Sequence, residues 1–171
     1  MPDIRLLTRD EWLTLRDIRL SALGESPQAF LSTYTKERAY GDSRWQAEFT
    51  RGEWWVGHVG DEAVSLLGTT HEPSTPPHER YLEYMWVASA HRRSGIALEM
   101  LNVVLRHLRA SGIRTVNLWV LEGNEAAQSL YKRVGFVSCN HSQPLPGQPD
   151  RHEELMQLDL SDAGNRPESP A

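Results

Sequence analysis

"HRRSGIALEML", residues 91–101, sets two arginines, a serine and a glycine directly before a run whose apolar residues recur at helical spacing. "YMWV" (84–87) ahead of it reads as a strand, so the order is strand, short turn, helix. The first amides of a helix have no internal partner and lie at the positive end of its dipole. Arg92 and Arg93 add charge there, Ser94 adds a hydroxyl, and Gly95 and Ala97 are small enough for a diphosphate to approach the backbone. On this stretch alone a second reading stays open, in which the arginines are solvated turn charges and Gly95 is a turn glycine. The chain as a whole is not basic: 18 Lys and Arg stand against 23 Asp and Glu, a formal net charge of −5. That balance argues against a nucleic-acid surface and makes the anion a local one.

Downstream, the pattern alternates. The helix runs to Ala110 and stops at Gly112, a strand "TVNLWV" follows, a second helix spans 124–134 and stops at Gly135, and "FVSC" and "ELMQLDL" read as further strands. Upstream, "IRLL" (4–7) is a strand candidate, and "TRDE" (8–11) is a capping box that opens a helix with Trp12, Leu15, Ile18 and Ala22 on one face. "SRWQAEF" (43–49) predicts another helix, "EWWVGHV" and "AVSLLGTT" a hairpin about "GDE", and "HEPSTPPHER" (71–80) a loop. With 171 residues and 39% hydrophobic content, one domain over 1–160 is expected, and the polar 161–171 reads as a disordered tail.

Several classes drop out. No stretch has the length of a membrane span and the N-terminus lacks a signal-peptide pattern, so a cytoplasmic protein is expected. Cys139 is the single cysteine, at an expected strand end, and reads as a small structural residue. His71 and His78 sit seven apart in a proline-rich loop, which matches no common metal-ligand spacing, so no metal is expected. Neither a Walker motif nor a dinucleotide fingerprint is present.

A second stretch decides between the two readings of the turn. The order Arg92, Gly95, Ala97 after a strand, followed by "LWVLEGNEAAQSLYKRVGF" (118–136) with Asn124, Ala127, Tyr131, Gly135 and Phe136, resembles the GNAT superfamily of acyl-coenzyme-A-dependent N-acetyltransferases. "RLSAL" and "SPQAF" near the N-terminus are similar to one broad bacterial branch of it. The resemblance implies an α/β (α+β) single-domain fold: a mixed, mostly antiparallel sheet of six to seven strands, splayed in the middle and flanked by about four helices. It implies acetyl-coenzyme A as co-substrate, with pantetheine paired to the backbone of Trp86 and Val87. Arg92, Arg93, Ser94, Gly95, Ile96 and Ala97 would cradle the pyrophosphate, and Asn124 would contact the cofactor.

The implied reaction is attack of a primary amine on the thioester in a ternary complex. Tyr131 would protonate the leaving sulfur and also touch the cofactor, and a backbone amide near Val87 would hold the oxyanion. Glu83 is the expected base, with Glu154 or water as alternatives; strand alternation pairs Glu83 with Met85 on one face and Tyr84 with Trp86 on the other. The acceptor is expected to be a small-molecule amine, drawn by a weakly acidic rim of Glu37, Asp150, Glu153 and Glu154 against Lys36, Arg38 and Arg151. Two other readings stay open, a peptide or protein N-terminal or lysine acetyltransferase and a non-catalytic acyl-coenzyme-A-binding module, as does monomer against homodimer.

Overall fold

A computed structural model describes residues 1–161. All but Ser161 of the expected tail lies outside the described residues. Seven strands form one sheet in the order β1-β2-β3-β4-β5-β7-β6. They are β1 (Asp3–Leu6), β2 (Gly52–Val59), β3 (Glu62–Thr70), β4 (Glu79–Val87), β5 (Thr115–Leu121), β6 (Val137–Leu145) and β7 (Gln148–Asp159). Only β4 and β5 run parallel; the other neighbours are antiparallel. No helix among the described residues is long and apolar enough to cross a membrane.

Five helices cover the two faces. On one face, α4 (Ile96–Ala110) and α5 (Glu125–Arg133) bury Met100, Leu101, Val104 and Tyr131 against Leu67, Leu82, Leu118 and Met156. Against the other, α1 (Trp12–Glu25) buries Leu15, Ile18 and Ala22 on Trp54, Val56, Leu66 and Trp86. The expected stripe on α1 is there, except that Trp12 is only half-buried and Arg19 takes a buried place on it.

Two short helices complete that face: α2 (Tyr34–Arg38) and α3 (Asp42–Arg51). The former exceeds the four helices expected; five residues are too few for a periodicity, and Thr33 starts it by accepting the Lys36 amide at 3.2 Å. A second correction concerns residues 140–153, which the sequence left unassigned between the expected strands "FVSC" and "ELMQLDL". They form most of the long β6–β7 hairpin, interrupted where the register slips between Ser138 and Ser142. Asn140 takes φ +51 in that slip, and Cys139 stands exposed beside it instead of buried at a strand end.

Candidate active site

The parallel pair β4–β5 is bonded only from Glu79–Tyr81 to Thr115–Asn117. Beyond that, β4 stays on β3 as far as Val87 and β5 stays on β7 as far as Leu121, so the two strands part company in mid-sheet. A strand edge left open in this way offers backbone donors and acceptors to an extended ligand. The Ala88 amide bonds Val64 O at 2.8 Å, on the β3 side, and alternation aims the amide and carbonyl of Val87 at the open side.

At the end of β4 the chain turns into α4. Arg93 (φ +60) and Gly95 (φ +87) both take left-handed backbone there, a conformation that costs a non-glycine residue and that glycine adopts freely. Gly95 is the N-cap, no side chain caps the helix, and the first amide bonded back is that of Glu99, to Gly95 O at 3.0 Å. The amides of Ile96, Ala97 and Leu98 therefore have no partner among the described residues, which suits an anion.

Arg92 does not point its charge into this turn. Its Nε donates to Val87 O at 2.8 Å, and its Nη2 donates to Ser26 Oγ at 2.9 Å and Glu25 Oε2 at 3.1 Å. Glu25, which the sequence reading passed over, also accepts the Ser89 amide and hydroxyl, and these bonds hold its carboxyl below the usual range. The Ser94 hydroxyl bonds His91 O inside the turn. Arg93 alone of the two arginines is left exposed without an ion pair among the described residues.

Tyr131 is 8% exposed, meets Phe136 edge-on at 5.8 Å, and has its phenol pushed up to about 12 by burial. Its hydroxyl makes no hydrogen bond among the described residues. Asn124 caps α5, accepting the Ala127 amide at 3.2 Å with its side-chain oxygen, which leaves its NH₂ group free.

Glu83 is not where alternation put it. Leu66 pairs with Trp86 but Gly68 pairs with Glu83, so β4 holds one residue more than β3 across this interval. Tyr84, at φ +60, is the bulge. Glu83 and Tyr84 consequently both face α1–α3, with Trp86, while Met85 packs towards α4. Arg51 Nη2 lies 3.7 Å from Glu83 Oε2, and the Thr70 hydroxyl is beside it. Burial outweighs Arg51 and holds the Glu83 carboxyl above its usual range. Glu154 pairs with Val120 in the α4–α5 face and bonds Ser138, across the sheet from Glu83.

Next to Glu83 a cavity of about 200 Å³ opens beneath α1–α3, with Arg51 and Tyr84 in its wall. The acidic rim expected from the sequence is corrected here. Glu37 is buried in a bidentate pair with Arg19, at 2.8 and 2.9 Å, and the cavity wall holds four cations, Arg19, Lys36, Arg44 and Arg51, against Glu37 and Glu48. Among the described residues, no three His, Cys, Asp or Glu side chains gather as metal ligands would.

The family profile of the acetyltransferase (GNAT) family matches residues 12–136. This chain belongs to that family. N-acetyltransferase family 8 member 2 of Rattus norvegicus is 30% identical over 92 residues, 53% of this chain and 41% of that protein. L-2,4-diaminobutyric acid acetyltransferase of Shouchella clausii is 27% identical over 110 residues, 58% of each. The chain thus spans about half the length of these relatives. Among solved structures, yncA from Salmonella typhimurium with its cofactor acetyl-CoA superposes with a TM-score of 0.73 at 15% identity, over 100% of this chain and 98% of that one. The fold of this GNAT chain is therefore the family's, splayed strands included.

Proposed function

We propose that this protein is an acetyl-coenzyme-A-dependent N-acetyltransferase acting on a primary amine of a small molecule. One observation carries the reading: the gap between β4 and β5 opens beside a helix start whose amides are unpartnered, which is a fitting seat for pantetheine and pyrophosphate together. The amides from Gly95 to Ala97 and the Arg93 side chain hold the pyrophosphate, with the exposed Ser94 at its side and Ile96 packing beneath it on Val87. The open edge of β4 at Val87 faces the pantetheine, whereas the backbone of Trp86, expected from the sequence to share that role, is turned to Leu66 on β3, and the Asn124 NH₂ group supports the cofactor from α5. Arg92 braces the turn and does not contact the phosphates.

Acid and base then work from opposite faces of the sheet. Glu83, on the α1–α3 face with a raised carboxyl, takes the proton from the amine; its nitrogen bonds to the acyl carbon, and the Val87 amide donates to the oxygen that becomes negative. The carbon–sulfur bond breaks and Tyr131, protonated at neutral pH, gives its proton to the sulfur from the α4–α5 face. The gap in the sheet is what lets one thioester meet both groups.

The test is thiol release from acetyl-coenzyme A against a panel of amines. Amine-dependent release with equal formation of N-acetyl product is expected. Tight binding of acetyl-coenzyme A without release for any amine would return the chain to the binding-module reading, and release only with peptides would move the acceptor to protein amines.

A further inference from the structure

Eight buried side-chain polar atoms have no hydrogen-bond partner among the described residues, and three of them, Arg19 Nη1, Ser32 Oγ and Trp45 Nε1, belong to residues that line the cavity beside Glu83. Arg19 is 4% exposed and Trp45 2%, so water does not satisfy them from outside. A buried donor without an acceptor is costly, and three in the wall of one cavity favour a ligand there that brings acceptors and closes onto them.

Arg19 is held for such a task. Glu37 takes its Nε and Nη2, and the Arg19 Cζ lies 4.1 Å from the centre of the Tyr84 ring and 4.6 Å from that of Phe30, so that the Nη1 edge is the one left over. A guanidinium fixed in this way meets a planar anion with little loss of side-chain freedom. The surrounding charge agrees. Arg44 and Arg51 share Glu48, each at 3.1 Å, and Lys36 adds a further cation at the exposed edge.

Resting on the acetyltransferase reading above, we infer that the acceptor carries a carboxylate close to its amine, as an amino acid does. Arg19, Ser32 and Trp45 bind that carboxylate while the amine reaches Glu83. Three donors come closer to filling the roughly four lone-pair sites of a carboxylate than the larger set on the oxygens of a phosphate dianion. The connection to the reacting centre is direct, since Arg51 lines the cavity 3.7 Å from Glu83 and Tyr84 is the next residue of the bulge.

The experiment compares thiol release for the common amino acids, each beside its primary amide and its decarboxylated amine, with O-phosphoethanolamine as the phosphate-bearing control. The acids are expected to exceed their amides and amines by about tenfold or more in kcat/KM. Trp45→Phe, which removes the indole donor and keeps a ring beside Tyr40, and Ser32→Ala are each expected to raise KM for the acid by a larger factor than for its decarboxylated amine, which carries no acceptor for either donor. Equal use of acid and amide, or preference for O-phosphoethanolamine, overturns the carboxylate site and leaves acetyl transfer standing. Should no amine release thiol, the acetyl-transfer reading is the one that fails. Calorimetry of the same acids and amides against protein saturated with coenzyme A then decides the site: tighter binding of acids supports it, and equal or absent binding overturns it.

Discussion

Arg92 Nε donates to the Val87 carbonyl at 2.8 Å, closing the turn that joins the last residue of β4 to the start of α4. The same guanidinium reaches back to Glu25 and Ser26 at the end of α1, so one side chain fixes the turn to both neighbours. Val87 therefore has its carbonyl engaged and its amide still available, which is the polarity that an oxyanion needs.

The two adjacent arginines should accordingly fail in different ways. Arg92→Ala loses charge-assisted bonds that are partly exposed, worth about 1–2 kcal/mol, and should lower Tm by about 2–6 °C. Arg93→Ala, with no partner to lose, should leave Tm unchanged and weaken acetyl-coenzyme A binding, the loss shrinking as salt is added. Thermal melts and calorimetry at two ionic strengths separate them; equal Tm losses would show that Arg93 is structural too.

What the sequence made legible follows from how local each signal is. The turn before α4 depends on residues 92–97, which are contiguous, and its glycine and helix start were readable. Two of Arg92's three partners, Glu25 and Ser26, lie more than sixty residues away in sequence, beyond any spacing argument. The Tyr84 bulge was hidden because it arises from a count mismatch with β3, and nothing in "LEYMWV" by itself breaks alternation. Arg19 did leave a signal: it occupies i+4 from Leu15 on the buried stripe, and a cation in such a place requires a partner. The cavity's charge could not be judged by counting acids on loops, because Glu37 is consumed by Arg19.

Gly95 tests the anion seat without a packing change, since a Cβ there meets no atom within 4 Å. Gly95→Ala should cost about 1–2 kcal/mol from left-handed backbone alone. Gly95→Glu adds a carboxylate at the open amides and should abolish acetyl-coenzyme A binding in calorimetry. Parental affinity in the Glu variant would remove the phosphate role from this turn.

Tyr131→Phe removes one oxygen from a ring already packed on Phe136. Turnover should fall by about 10²–10⁴, the usual worth of a general acid, with coenzyme A affinity little changed. The parent should show no loss from Tyr131 ionisation below pH 10, since burial pushes that phenol up to about 12. An unchanged kcat, measured where chemistry limits the rate, would make Tyr131 a core residue only.

Glu83→Gln should separate catalysis from stability. Burial raises the folded carboxyl above its ordinary value of 4.5, so the stability linked to this group is complete below that pH and declines as pH rises through the folded value. A neutral glutamine escapes that decline. The variant should therefore melt higher than the parent at pH 7, with the difference vanishing below the ordinary carboxylate range, and Arg51 still keeps Glu48 at 3.1 Å and Glu72 at 3.7 Å. Its kcat/KM should drop by about 10²–10⁴ if Glu83 is the base. With a weakly basic amine as acceptor, the parent's acid limb should lie above pH 4.5 and disappear in the variant. Full activity in Glu83→Gln would hand the proton to water, because Glu154 stands on the opposite face of the sheet, bonded to Ser138. A lower Tm at pH 7 would mean that the Arg51 pair outweighs the burial.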